Sequence, residues 1–162
     1  MTSPFSRPAL LCNSQSGSHD PAIHEAIVAA CADAGAPLAA TFALPQDEIP
    51  SAAALRAQDI DLLLIWTGDG TINAAASEVT GWDGAVLPLP GGTLNLLSKA
   101  LHGDRPVPEI LADVLTGKGR QRPIPIICSG DGNAFITIVA GPATRWAEVR
   151  ETHRHSSLKA IE

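Results

Sequence analysis

Two apolar runs, each closed by a glycine turn, constrain this chain more than any other feature. Leu62-Leu63-Leu64-Ile65-Trp66 runs into Gly68-Asp69-Gly70-Thr71-Ile72-Asn73, and Ala85-Val86-Leu87-Pro88-Leu89 runs into Pro90-Gly91-Gly92-Thr93-Leu94-Asn95. A continuous apolar run suits a strand buried on both faces, which is the habit of parallel sheets. A parallel sheet needs a crossover after each strand, usually a helix. Each run is therefore expected to end in a sharp turn that feeds a helix, with a Thr and an Asn at the helix mouth.

The rest of the chain repeats that alternation. Ala9–Cys12 reads as a first strand. Asp20 and Pro21 form an N-cap and first-turn pair, and Ile23, Ile27, Ala30, Cys31 and Ala34 recur at helical spacing up to Gly35. Residues 37–41 are expected as a short strand, 51–58 as a helix and 61–66 as a central strand. Helices are expected over 71–79, 94–101 and 106–116, the last with Ile110, Leu111, Val114 and Leu115 on one face. This pattern predicts an α/β fold: a mostly parallel sheet flanked by helices, with ligands bound at the carboxyl ends of the strands.

Residues 1–120 would form that domain. Beyond Gly119 the character changes. Ile124–Cys128 reads as a strand, 129–133 as a turn cluster and Ala134–Ala140 as a returning strand. Residues 121–162 are thus expected to begin a second, β-rich domain that stops soon after it starts. A sheet cut there would leave an open edge, from which poor solubility, or protection by self-association as a homo-oligomer, is expected.

The glycine loops suggest polyphosphate. Glycine lets the backbone approach a ligand closely. The first N–H groups of a helix lack internal partners and sit at the positive end of its dipole, so a phosphate is held there without Lys or Arg. Asp69 would repel a phosphate directly; it fits through Mg²⁺, which bridges carboxylate and phosphate oxygens. Neither a P-loop nor the third glycine of a dinucleotide fingerprint occurs, since Asn73 stands at that third position.

Together with Asn13-Ser14-Gln15-Ser16-Gly17 after the first strand, these motifs resemble the catalytic domain shared by diacylglycerol kinases, sphingosine kinases and bacterial lipid kinases. The family pattern is Asn-Pro-x-Ser-Gly, then Gly-Gly-Asp-Gly-Thr-x-Asn-Glu, then Pro-x-Gly-Thr-x-Asn, in that order. The resemblance covers nearly the whole chain. It implies that Asn13, Ser16 and Gly17 line a nucleotide pocket, with Thr41, at the end of the second strand, as a further contact. It implies that Gly68, Asp69, Gly70, Thr71 and Asn73 hold the phosphates of ATP, with Asp69 engaging Mg²⁺. Gly92 and Thr93 would close over the phosphates, supported by Asn95. The implied activity is transfer of the γ-phosphate of Mg-ATP to a lipid hydroxyl at a membrane surface, with the general base and much of the lipid surface supplied by the second domain. The chain departs from the pattern at Thr67, where the family has its first glycine, at Ser14 in place of Pro, and at Ala74 in place of an acidic residue. A β-branched Thr67 would be strained if that position needed a positive φ. Two other readings share these motifs: an NAD kinase-like enzyme, and a non-catalytic nucleotide-binding domain that regulates a partner.

Composition narrows the classes. A net charge of -6 disfavours non-specific nucleic-acid binding, which needs a basic surface. No stretch approaches a membrane span and no signal peptide is evident, so a cytoplasmic protein, peripheral at the membrane, is expected. Cys12, Cys31 and Cys128 are odd in number and far apart; they read as buried free thiols, not a disulfide framework. Asp83 and Asp131 could serve as a base by residue type alone, but loop solvation accounts for both. His153 and His155 read as part of a solvated tail, and Trp146 as packing against the second domain.

Overall fold

The structure, a computed structural model, describes residues 3–16, 18–124, 127–129 and 132–134. Its elements in chain order are β1 (Pro8–Asn13), α1 (Pro21–Asp33), β2 (Ala40–Leu44), α2 (Ala52–Ala57), β3 (Leu62–Thr67), α3 (Asp69–Glu78), β4 (Ala85–Pro90), α4 (Leu96–His102), α5 (Val107–Leu115), β5 (Ile127–Ser129) and β6 (Gly132–Ala134). The first four strands form one sheet in the order β2-β1-β3-β4, and every pairing is parallel. The expected α/β architecture is therefore present.

Period-two alternation sorts the strand side chains between two apolar layers. Leu10 and Cys12 of β1 with Leu62, Leu64 and Trp66 of β3 face α1 and α5, against Ile27, Cys31, Ile110, Leu111 and Leu115. Ala9 and Leu11 with Leu63 and Ile65 face the other way, against Leu55 of α2, Ile72 and Ala75 of α3 and Leu97 of α4. All of β3 is buried, as its unbroken apolar run requires. Burying each such Leu or Ile is worth about 1.5–3 kcal/mol. α1 begins as expected: the Asp20 carboxylate accepts the Ala22 N–H and Pro21 opens the first turn.

Several boundaries differ from the sequence expectation. β2 lies three residues later than expected. Pro37 has no N–H to give a ladder, whereas Ala40–Leu44 runs in register beside Ala9–Asn13. α3 begins two residues earlier, at Asp69, because Gly68 already has the extended backbone of an N-cap (φ -79°, ψ 164°). α4 begins two residues later, because Asn95 is left-handed (φ 54°, ψ 43°) and cannot be part of the helix. β5 and β6 pair antiparallel, but Gly132 and Asn133 belong to the second strand, not to the turn. The predicted continuation of that strand through 135–140, and Trp146, His153 and His155, lie outside the described residues.

Among the described residues β4 is an edge strand, and it carries Pro88 and Pro90 opposite Ile65 and Thr67 of β3. A proline inside a sheet turns its donor-less nitrogen to the unpaired side. No helix of the described residues is long and apolar enough to cross a membrane.

Candidate functional site

The strand order creates a crevice. From β1 the chain steps to β2 on one side, then crosses back to β3 on the other. In such sheets ligands bind outside the carboxyl ends of the strands where the order reverses. Those ends are Asn13 of β1 and Thr67 of β3, with Pro90 of β4 next in line. All three glycine-bearing loops emerge there.

The loops after β3 and β4 touch. A Cβ built on Gly92 would lie 2.5 Å from the Gly68 Cα and 3.3 Å from the Gly68 nitrogen. A Cβ on Gly91 would lie 2.7 Å from the Thr67 nitrogen. Glycine is required at both places by backbone approach. The β4 loop also closes on itself: the Asn95 Oδ1 accepts the Gly92 N–H at 2.8 Å and its Nδ2 donates to the Gly92 carbonyl at 2.9 Å. Asn95 thus braces the loop through Gly92.

The loop after β1 reaches over both. Ser18 Oγ donates to the Gly91 carbonyl at 2.9 Å and stands 2.9 Å from Ser16 Oγ. The Asn13 Oδ1 accepts the Gln15 N–H at 3.1 Å, while Ser14 is tied to Leu44 of β2. Gly17 lies outside the described residues. Beneath this loop the Trp66 indole N–H donates to the Pro90 carbonyl at 3.1 Å. The His19 ring packs on that indole with centroids 5.0 Å apart, and His24 stands 6.5 Å from it.

The first turn of α3 carries the rest. Gly68 is the N-cap and offers no side-chain cap, so the leading N–H groups of Asp69, Gly70 and Thr71 lack an intrahelical acceptor. Asp69 is half-buried, Gly70 exposed and Thr71 half-buried. A Cβ at Gly70 would meet nothing within 4 Å, and its φ is not in the left-handed region. Neither packing nor backbone conformation explains a glycine in this helical turn. Asn73 sits one turn further in, half-buried. Thr93 is exposed in the β4 loop, between the Gly91-Gly92 contact and Leu94. Leu94 and Leu96 stand out as large exposed apolar side chains on either side of Asn95.

Two sequence expectations change here. Thr67 ends β3 buried with no positive φ, its hydroxyl donating to the Gly68 carbonyl, so the residue in the family's glycine position is unstrained. Thr41 is the second residue of β2, exposed, and pairs with Leu10. It stands three residues, about 10 Å, before the carboxyl end of the sheet, where Leu44 pairs with Asn13. The structure brings the other described candidates to one end of the sheet and leaves Thr41 apart. Sequence reasoning missed Ser18, His19 and His24 as parts of this end; nothing in their local spacing marks a contact with residues more than forty positions away.

Among the described residues no cluster of three His, Cys, Asp or Glu side chains could hold a metal ion. A divalent cation at Asp69 would take its other ligands from phosphate oxygens and water, the usual arrangement for Mg²⁺ beside a nucleotide. One half-buried carboxylate next to exposed helix N–H groups fits that arrangement. The thiols do not enter the chemistry. Burial raises Cys12, with the Asp47 charge adding to it, and burial pushes Cys31 up to about 11. Both therefore stay protonated and inert near neutrality.

Fold and loops together define a doubly wound α/β domain whose glycine loops gather at the strand reversal. The chain belongs to the diacylglycerol kinase catalytic domain family, whose sequence model matches residues 7–126. The match takes in every candidate site residue and implies kinase activity. No curated protein matches it.

Proposed function

We propose that this chain is the nucleotide-binding part of an ATP-dependent lipid kinase, which moves the γ-phosphate of Mg-ATP to the hydroxyl of a diacylglycerol-like lipid. The observation that carries this reading is Gly70: a glycine in the first turn of α3, with open space where its side chain would be and no conformational need for it. A helix start free of side chains, with unpaired N–H groups, suits a phosphate chain lying against the backbone.

Phosphoryl transfer asks a protein mainly to position the phosphates and to stabilise charge on them. Here the N–H groups of Asp69, Gly70 and Thr71 would face the phosphates. The Gly91–Asn95 loop would close from the side, and Asn13 and Ser16 would border the crevice at β1. Mg²⁺ would supply the positive charge that the loops, which carry no Lys or Arg between Thr67 and Asn73 or between Pro90 and Asn95, do not. Exposed Leu94 and Leu96 add an apolar lip beside this polar end, which suits an acceptor with an apolar body at a membrane surface. The acceptor's base would come from outside the described residues.

Calorimetric titration with Mg-ATP, followed by transfer of γ-labelled phosphate to diacylglycerol in mixed micelles, tests the proposal. Saturable binding and a labelled lipid are expected. A folded protein that binds no ATP, or that labels a nicotinamide dinucleotide and no lipid, would overturn it.

A further inference from the structure

α4 lacks a cap of its own. Its N-cap residue, Asn95, is left-handed, and both polar atoms of its side chain are turned back onto Gly92. The N–H groups of the first turn, those of Leu96, Leu97 and Ser98, are left without an intrahelical acceptor, and Leu97 is itself buried. Water is a poor partner at such a site, and a buried N–H needs an acceptor. The acceptor comes from a different helix: Asp69 Oδ1 lies 3.4 Å from the Leu97 nitrogen. Asp69 is the first residue of α3, so one carboxylate stands at the positive ends of two helices, its own and its neighbour's.

We infer that Asp69 is a positioning residue: its carboxylate caps α4 and so fixes the Gly91–Asn95 loop against the first turn of α3, a task separate from any cation it holds. The contact completes a closed circuit. Gly68 meets Gly92 backbone to backbone, Gly92 is held by Asn95, Asn95 opens α4, and α4 is tied through Leu97 to the residue that follows Gly68. Loss of the cap loosens the start of α4, and with it the spacing of the two loops that the proposed phosphate site needs.

Charge and hydrogen-bond acceptance separate in two variants. Asp69→Asn removes the charge and keeps an oxygen for Leu97; Asp69→Ala removes both. Amide hydrogen exchange of the wild-type chain and both variants, without nucleotide, reads the cap directly. The Leu97 amide is expected to exchange about fivefold faster in Asp69→Ala, the usual effect of losing a cap, and at the wild-type rate in Asp69→Asn. Titration with ATP in EDTA is the second readout, taken between the two uncharged variants because loss of the carboxylate charge favours phosphate in both: Asp69→Ala binds more weakly than Asp69→Asn. Unchanged Leu97 exchange in Asp69→Ala, exchange in Asp69→Asn as fast as in Asp69→Ala, or metal-free ATP affinity no weaker in Asp69→Ala than in Asp69→Asn overturns the inference. If Asp69→Ala does not fold, Asp69→Ser, whose shorter hydroxyl stops short of Leu97, takes its place. The loop-spacing consequence rests on the proposed nucleotide site, but the exchange arm does not. Faster Leu97 exchange in Asp69→Ala together with no ATP binding by the wild type would sink the proposed function and leave the cap established.

Discussion

Replacing Gly70 by alanine should make the protein more stable and a poorer nucleotide binder. The added methyl enters space with no heavy atom within 4 Å, and the backbone there is already one that alanine adopts. Folding therefore meets no clash, while the unfolded chain loses some of glycine's freedom. At compatible positions that exchange stabilises by about 0.4–1 kcal/mol. For a chain of this size the midpoint of thermal unfolding should rise by about 1–4 °C. The same methyl would stand where the phosphates of ATP are proposed to lie. A tenfold or greater loss of affinity, about 1.4 kcal/mol, is expected on calorimetric titration with Mg-ATP. The two effects have opposite signs, so a general disturbance of the fold cannot produce both. A variant that is stabilised and binds ATP as well as the wild type would refute the argument that Gly70 is kept for a ligand. A destabilised variant would refute the structural premise that its side-chain position is empty.

Gly92→Ala should do the reverse, because its methyl would press on the backbone of Gly68 and neither loop can yield easily; denaturant unfolding should show a loss of about 1–3 kcal/mol. Cys31, raised by burial to about 11, should resist alkylation in the native protein, with a thiolate fraction roughly 100-fold below that of an ordinary thiol; peptide mass mapping showing rapid native labelling at Cys31 would contradict its burial. Acid should act in two stages. Burial lowers His102, the charges of Arg105 and Arg122 add to this, and the Pro88 carbonyl opposes it. Its folded value lies below the unfolded one, so stability is complete above about 6.5 and falls as pH drops through the interval beneath it. The hydrogen bond and charge of Arg105 lower Asp113, so that contribution is present above the usual carboxylate range and is lost only in stronger acid. Thermal midpoints measured against pH should show the first stage vanish in His102→Gln and the second in Asp113→Asn.

The layered architecture was legible because the apolar runs of β3 and β4 are short, continuous and closed by glycine turns, which favours strands buried on both faces, and because Asp20-Pro21 marks a helix start with two independent residues. The ends of elements were less so. Gly68-Asp69-Gly70 reads as a loop by propensity, yet an N-cap tolerates glycine and a first turn favours aspartate, so the helix claims both Asp69 and Gly70. Asn95 reads as a helix-mouth residue but is held left-handed by its own bonds to Gly92. The site was legible as three motifs, not as one connected object. The bonds that join it, Ser18 to Gly91 and Asp69 to Leu97, span 73 and 28 residues and leave no local trace in sequence. Thr41 was misplaced because the second strand was set by composition, whereas its true register is set by β1.

The two prolines of β4 carry a further consequence, for assembly. A sheet that grows copy upon copy into a filament must offer a pairing edge on both sides. On the β4 side an incoming strand would find no donor at Pro88 or Pro90, and the Pro90 carbonyl is already taken by Trp66. Of the two outer strands of this sheet among the described residues, only β2 then keeps a usable ladder. Copies that meet edge to edge through β2 use up that edge in doing so, and the contact closes at two. Association of copies through the edges of this four-stranded sheet is thereby self-limiting: a pair, not a fibre.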